Sequence, residues 1–96
     1  MYFFVYILAS QKNGTLYTGS TDDLMARIWQ HKNKTFKGFT SKYDVNRLVW
    51  YEAHESREAV LTRERQIKEW KRAWKIKLIE EENPCWNDLY EGLQPA

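Results

Sequence analysis

The sequence is poor in the residues that staple, kink or loosen a chain. Its one cysteine, Cys85, cannot form an internal disulfide, and a multi-cysteine zinc site is excluded with it. A reducing cytoplasm is the simplest setting for such a chain. With two prolines and four glycines, there is no linker, repeat or low-complexity tract to divide it. Long hydrophobic runs are absent as well. The opening stretch, Met1 to Leu8, is apolar but too short to span a membrane, and it lacks the basic start of a signal peptide. No membrane partner is expected.

What is there suits one globular domain, 1–96. The 96 residues are 43% hydrophobic and 29% charged, enough to bury one core but not two. Five Trp and six Tyr are many for that length. One small core cannot hold them all, so some must sit at the surface or in a groove. The net charge of +2 announces nothing, but its distribution does. Lys32, Lys34, Lys37 and Lys42 precede any acid until Asp44; Lys68, Lys71, Arg72, Lys75 and Lys77 form a second basic stretch; Glu80, Glu81, Glu82, Asp88 and Glu91 gather near the end. This segregation suits a polyanion footprint, and equally a pair of solvated faces.

Residues 2–9 are apolar, aromatic and β-branched and read as a buried strand. Asn13-Gly14 marks a hairpin turn, since both residues tolerate positive φ, and 15–19 form the returning strand. Ser20-Thr21-Asp22-Asp23 resembles a capping box for a helix running to about Lys32. Residues 33–46 show no period and read as a loop. Residues 48–53 give a third strand, Ser56 caps a helix over about 57–72, and 74–82 form another helix stopped by Pro84. The core then covers about 2–83, leaving 84–96 as a loose tail with at most one more helical turn. The order β-β-α-β-α-α implies an α+β fold: a small three-stranded antiparallel sheet flanked by helices.

Three places can carry chemistry. On the first helix Leu24, Arg27, Ile28 and His31 share one stripe. A buried charge needs a partner, and a phosphate suits both Arg27 and His31; the plain alternative is Arg27 snorkelling to the rim and His31 exposed at the helix end. On the second helix Val60, Ile67, Trp70 and Trp74 make a stripe with Glu64 at its edge, looking into a cleft. That carboxylate can serve a hard divalent cation, or simply pair with Lys68 or Arg63. In the hairpin, any two- or four-residue loop pairs residues with an odd sum, which puts Tyr6 and Tyr17 on one face. They are core aromatics with polar tips, or phenols that orient a water. Gly19 lets a ligand backbone approach closely.

Taken together, Val5-Tyr6-Ile7, Leu16-Tyr17-Thr18-Gly19, Arg27 and His31 on the next helix, and Glu64 on a later one resemble the GIY-YIG nuclease domain. The resemblance covers roughly 2–83. Tyr-Thr-Gly-Ser-Thr-Asp and Arg-Glu-x-x-Ile-Lys narrow it to small stand-alone bacterial proteins similar to the N-terminal nuclease domain of the bacterial excinuclease. Phe4 stands where the first motif has its Gly, and Thr18 where the second has its Ile; neither change removes a chemical group.

The resemblance implies a metal-dependent endonuclease acting on nucleic acid, DNA more than RNA, with a place in repair or recombination. Glu64 would hold one Mg²⁺ or Mn²⁺, Arg27 would stabilise charge on the phosphate, and Tyr17 or Tyr6, helped by His31, would orient or deprotonate the attacking water. Lys34, Lys37 and Lys42 can position the backbone without reading sequence. Asn83 is a further candidate, although an Asn ending a helix before Pro84 explains itself structurally. The competing expectation is a lapsed nuclease kept as a nucleic-acid-binding or partner-docking module.

Overall fold

A computed structural model describes residues 1–35 and 38–93. Strand β1 (Phe3–Ala9) is the middle of a three-stranded sheet, with β2 (Leu16–Thr21) antiparallel on one side and β3 (Arg47–His54) antiparallel on the other. Helices α1 (Leu24–Lys32) and α2 (Phe39–Lys42) lie between β2 and β3 in the chain; α3 (Arg57–Glu69), α4 (Arg72–Glu82) and a 3₁₀ turn (Leu89–Leu93) follow β3. The expected α+β order is therefore present. No helix among the described residues is long and apolar enough to cross a membrane.

The hairpin closes through Ser10 N–H donating to Thr15 O (3.0 Å) and Gly14 N–H to Gln11 O (2.9 Å). Only Asn13 takes a left-handed φ, 60°. Gly14 is required for a different reason: a Cβ there would sit 2.3 Å from Ser10 Oγ. Leu8 faces Tyr17 and Tyr6 faces Gly19, so paired residues sum to an odd number and the two tyrosines do share a face.

Alternation along β1 sends its residues to two cores. Val5, Ile7 and Ala9 pack under Val60, Ile67 and Ile79 of α3 and α4. Tyr6 and Leu8 pack with Leu24 and Ile28 of α1. A bulge in β3, where Ile7 pairs with Trp50 but Leu8 with Leu48, leaves Val49 as the extra residue. It breaks the period of two, so that Val49 and Trp50 both join the α3–α4 core while Leu48 joins the other.

Three sequence expectations need correction. First, 33–46 is not all loop: Phe39–Lys42 make one helical turn, too short to show a period. Second, the long helix ends at Glu69, and Trp70, its cap, has φ −69° and ψ 150°. The chain turns there, so Trp74 belongs to α4 and is 56% exposed rather than continuing the Val60–Ile67 stripe. Third, 84–93 is not a loose tail. Trp86 is fully buried in the α3–α4 core, its indole N–H donating to Glu80 Oε2 (2.8 Å). Asp88 takes the backbone N–H of Leu48 and Tyr90 and pairs with Lys32, tying α1 to β3 and to the 3₁₀ turn.

Candidate active site

The capping stretch before α1 divides its work. Asp23 is the N-cap, its side chain accepting from Ala26 N–H (3.2 Å), and Thr21 Oγ1 accepts from Asp23 N–H (3.0 Å). Ser20 does not cap. Its hydroxyl donates to Glu64 Oε1 at 2.5 Å, across from β2 to α3. The sequence reading missed Ser20 as a site residue because a serine just before a helix has a ready structural use. Only its register opposite Val5, facing α3, signals the other one.

Tyr6 is 2% exposed. Its ring reaches across the edge strand over Gly19, where a Cβ would lie 2.6 Å from the Tyr6 hydroxyl. This corrects the role expected for Gly19: the space is filled by the Tyr6 phenol, not held open for a ligand. Beyond Gly19 the hydroxyl meets His31 Nε2 at 3.0 Å, and His31 Nδ1 meets Thr40 Oγ1 at 3.0 Å. His31 is buried, not exposed at a frayed helix end. Thr40 was not anticipated. It rides on the short α2, whose detectable signal was the i, i+4 aromatic pair Phe39 and Tyr43, 5.0 Å between ring centres.

Tyr17, half-buried, closes the cluster. Its ring lies 6.4 Å from that of Tyr6, 5.6 Å from His31 and 6.5 Å from Phe39. Burial pushes the Tyr6 hydroxyl well above the usual phenol range, with Tyr17 adding to the rise, Arg27 opposing it and Glu64 adding again. Arg27 and Glu64 thus both act on the Tyr6 hydroxyl, although Glu64 comes from the opposite side of the sheet. Burial also lowers the His31 pKa, with Arg27 helping. The Tyr6–His31–Thr40 chain is therefore uncharged at neutral pH: Tyr6 keeps its proton, and His31 is neutral imidazole.

Arg27 lines a cleft of about 130 Å³ between the end of β2 and the start of α3. Glu64 lines the next one with Leu61, Arg65 and Lys68. Its Oε2 pairs with Lys68 at 2.7 Å, so the salt bridge weighed from the sequence is present, beside the bond to Ser20. Among the described residues no three His, Cys, Asp or Glu side chains form a metal-sized cluster. The donors at hand are one carboxylate and one hydroxyl. That set suits a hard cation of the kind bound by one or two carboxylates, waters and substrate phosphates, and no all-protein cage.

The other candidates are not gathered here. Asn83 is 5% exposed and fully used: its amide donates to Val49 O (3.1 Å) and Asn87 O (2.9 Å) and accepts from Asn87 N–H (3.0 Å). It holds the turn that buries Trp86, as its place before Pro84 suggested. Lys34 pairs with Asp44 at 2.7 Å, which offsets its charge; Lys42 lies over the Tyr43 ring at 5.4 Å; Lys37 falls outside the described residues. In the second basic stretch Arg72 is a structural clamp, donating to Asn13 O and Gly14 O at 2.7 and 2.6 Å.

Comparison with known proteins shows what the chain is similar to. A family model described as the GIY-YIG catalytic domain matches residues 2–77. A UPF0213 protein of Staphylococcus epidermidis is 36% identical over 78 residues, 81% of this chain and 94% of the relative. One from Staphylococcus aureus matches to the same extent. The solution NMR structure of a UPF0213 protein from Bacillus halodurans is 28% identical, covers 99% of this chain and 100% of its own, and superposes with a TM-score of 0.57.

Proposed function

The chain belongs to the GIY-YIG catalytic-domain family, and from that premise we propose that it is a metal-dependent endonuclease hydrolysing phosphodiester bonds in nucleic acid, DNA before RNA, with low sequence specificity and a use in repair or recombination. The observation that carries the reading is the neutral Tyr6–His31 pair, set where Arg27 and Glu64 both act on its hydroxyl, with Tyr17 alongside. A dead scaffold has no need to bury that pair between an arginine and a carboxylate.

The geometry supports one division of the roles that the sequence left open. Tyr6 holds its proton too tightly to be a base. Its hydroxyl fixes His31, whose two ring nitrogens are engaged by Tyr6 and Thr40. Tyr17 is the phenol left to face the attacking water, orienting it through a hydrogen bond. Arg27 offers planar, bidentate donors to the phosphate and stabilises the charge that builds there. Glu64, oriented by Ser20, would hold the Mg²⁺ or Mn²⁺, releasing Lys68 as it did so. When bound, such an ion polarises the phosphoryl oxygen and stabilises the leaving oxygen. Of Lys34 and Lys42, Lys42 is the one better placed to add a backbone contact, because Asp44 already engages Lys34.

Glu64→Gln is the direct test. Mn²⁺-dependent nicking of labelled DNA is expected to vanish while the melting temperature falls only modestly, since the Gln amide oxygen still accepts from the Ser20 hydroxyl and the Lys68 end of the ion pair is exposed. Undiminished nicking by that variant would sink the metal assignment.

A further inference from the structure

The cleft lined by Arg27 has a second guanidinium on its other wall. It belongs to Arg57, the first residue of α3, and Phe3, Ser20 and Thr21 share the lining. The Arg57 guanidinium lies over the Phe3 ring, 5.1 Å from its centre. Stacking of this kind steadies a long side chain on an apolar base and leaves the edge N–H groups of its fork for another partner. Next along the surface, past Leu61, comes the cleft of Glu64 and Lys68; Leu61 borders both. Two recesses therefore sit side by side, an anion-seeking one served by two arginines and one whose carboxylate suits a cation. Asp22 also lines the first recess, so the balance there is two guanidiniums against one carboxylate.

A polynucleotide threads such a surface with phosphates at regular intervals. We propose that Arg57 is a phosphate-positioning residue: with Arg27 on the phosphate under attack, Arg57 holds the next backbone phosphate from the same cleft, so that substrate is gripped at two successive phosphates. This rests on the nuclease reading. It adds a residue and a second contact point that the catalytic set does not contain. The arrangement places the cost of removing Arg57 in binding, whereas Arg27 serves turnover.

The experiment separates the two readings by using protein that cannot cleave. Glu64→Gln protein is titrated against a fluorescent single-stranded oligonucleotide over a range of salt concentrations. Adding Arg57→Ala is expected to weaken binding roughly tenfold, the size of one charge-assisted contact, and to lower the slope of log Kd against log salt by about one unit. Arg57→Lys should restore the slope but not the full affinity, because a point charge replaces the fork. Asp22→Asn, which leaves the Phe3 stack untouched, should tighten binding. If Arg57→Ala and Asp22→Asn both leave affinity and salt slope unchanged, the second phosphate site does not exist. Wild-type protein that never cleaves with Mn²⁺, while the Glu64→Gln background shows the Arg57 dependence, would overturn the nuclease reading and leave the phosphate site standing. Normal cleavage with neither variant affecting binding would do the reverse.

Discussion

The two faces of the sheet are built from the same strand and solve opposite problems. Toward α3 and α4, β1 presents Val5, Ile7 and Ala9 to a core of aliphatic and indole side chains. Toward α1, it presents Leu8 beside Tyr6, and the core there leads straight into the Tyr6–His31–Thr40 hydrogen bonds. One face takes its stability from removing apolar surface from water. The other buries polar atoms that must all be satisfied, and each of the buried ones is. The difference shows how one strand serves two ends: the apolar face holds the sheet, which lets the other face carry a buried polar cluster that is stable only while every partner is in place.

The comparison breaks first if the scaffold face is damaged. Ile67→Ala, at a fully buried position, should cost about 2–5 kcal/mol of unfolding free energy in urea titration, and the protein that remains folded should keep its turnover number. Tyr6→Phe sharpens the contrast. It keeps the ring over Gly19 but leaves His31 Nε2 without the phenol, so a loss of about 1–3 kcal/mol is expected, this time together with a fall in kcat. A stability loss with full activity would show that Tyr6 belongs to the core alone.

A third test uses pH. His31 titrates lower in the folded protein than in the unfolded chain. The unfolded state then binds the proton more readily, so the contribution is fully present above the unfolded value, about 6.5, and is lost as pH falls below it. Thermal melts of the wild type should decline through that acidic range, and His31→Gln should flatten the decline. The smallest effect is expected outside both cores: Lys34→Ala should change stability by less than about 1 kcal/mol and nicking hardly at all, because Asp44 already engages that ammonium group across an exposed pair.

Much of the fold was legible because long, periodic segments carry it. The apolar, β-branched composition of β1, the odd-sum hairpin register and the Ser56 cap all read directly, and the cap does accept Ala59 N–H. The stripe Leu24–Arg27–Ile28–His31 gave the right face of α1, though not that His31 would be buried. What stayed hidden depended on contacts between segments far apart in sequence. Nothing near Ser20 announces Glu64, and Thr40 becomes visible only once α1 and α2 are placed together. Trp86 looked like tail because the feature that buries it, the turn closed by Asn83, comes from side-chain hydrogen bonds rather than from any period. Charge segregation misled in part: Lys32, Lys34 and Arg72 are occupied with Asp88, Asp44 and the hairpin carbonyls.

β2 is an edge strand, with β1 as its only neighbour in the sheet. Tyr6 and Tyr17 approach that margin from one side, Ser20 and Glu64 from the other. The candidate site groups consequently straddle a rim. A rim has no closed ends, so a polymer can lie across it and leave in both directions without its termini being read. A compact molecule placed there would stay mostly in water and bind weakly. Inhibitors of such a site must imitate a length of backbone rather than a single scissile group.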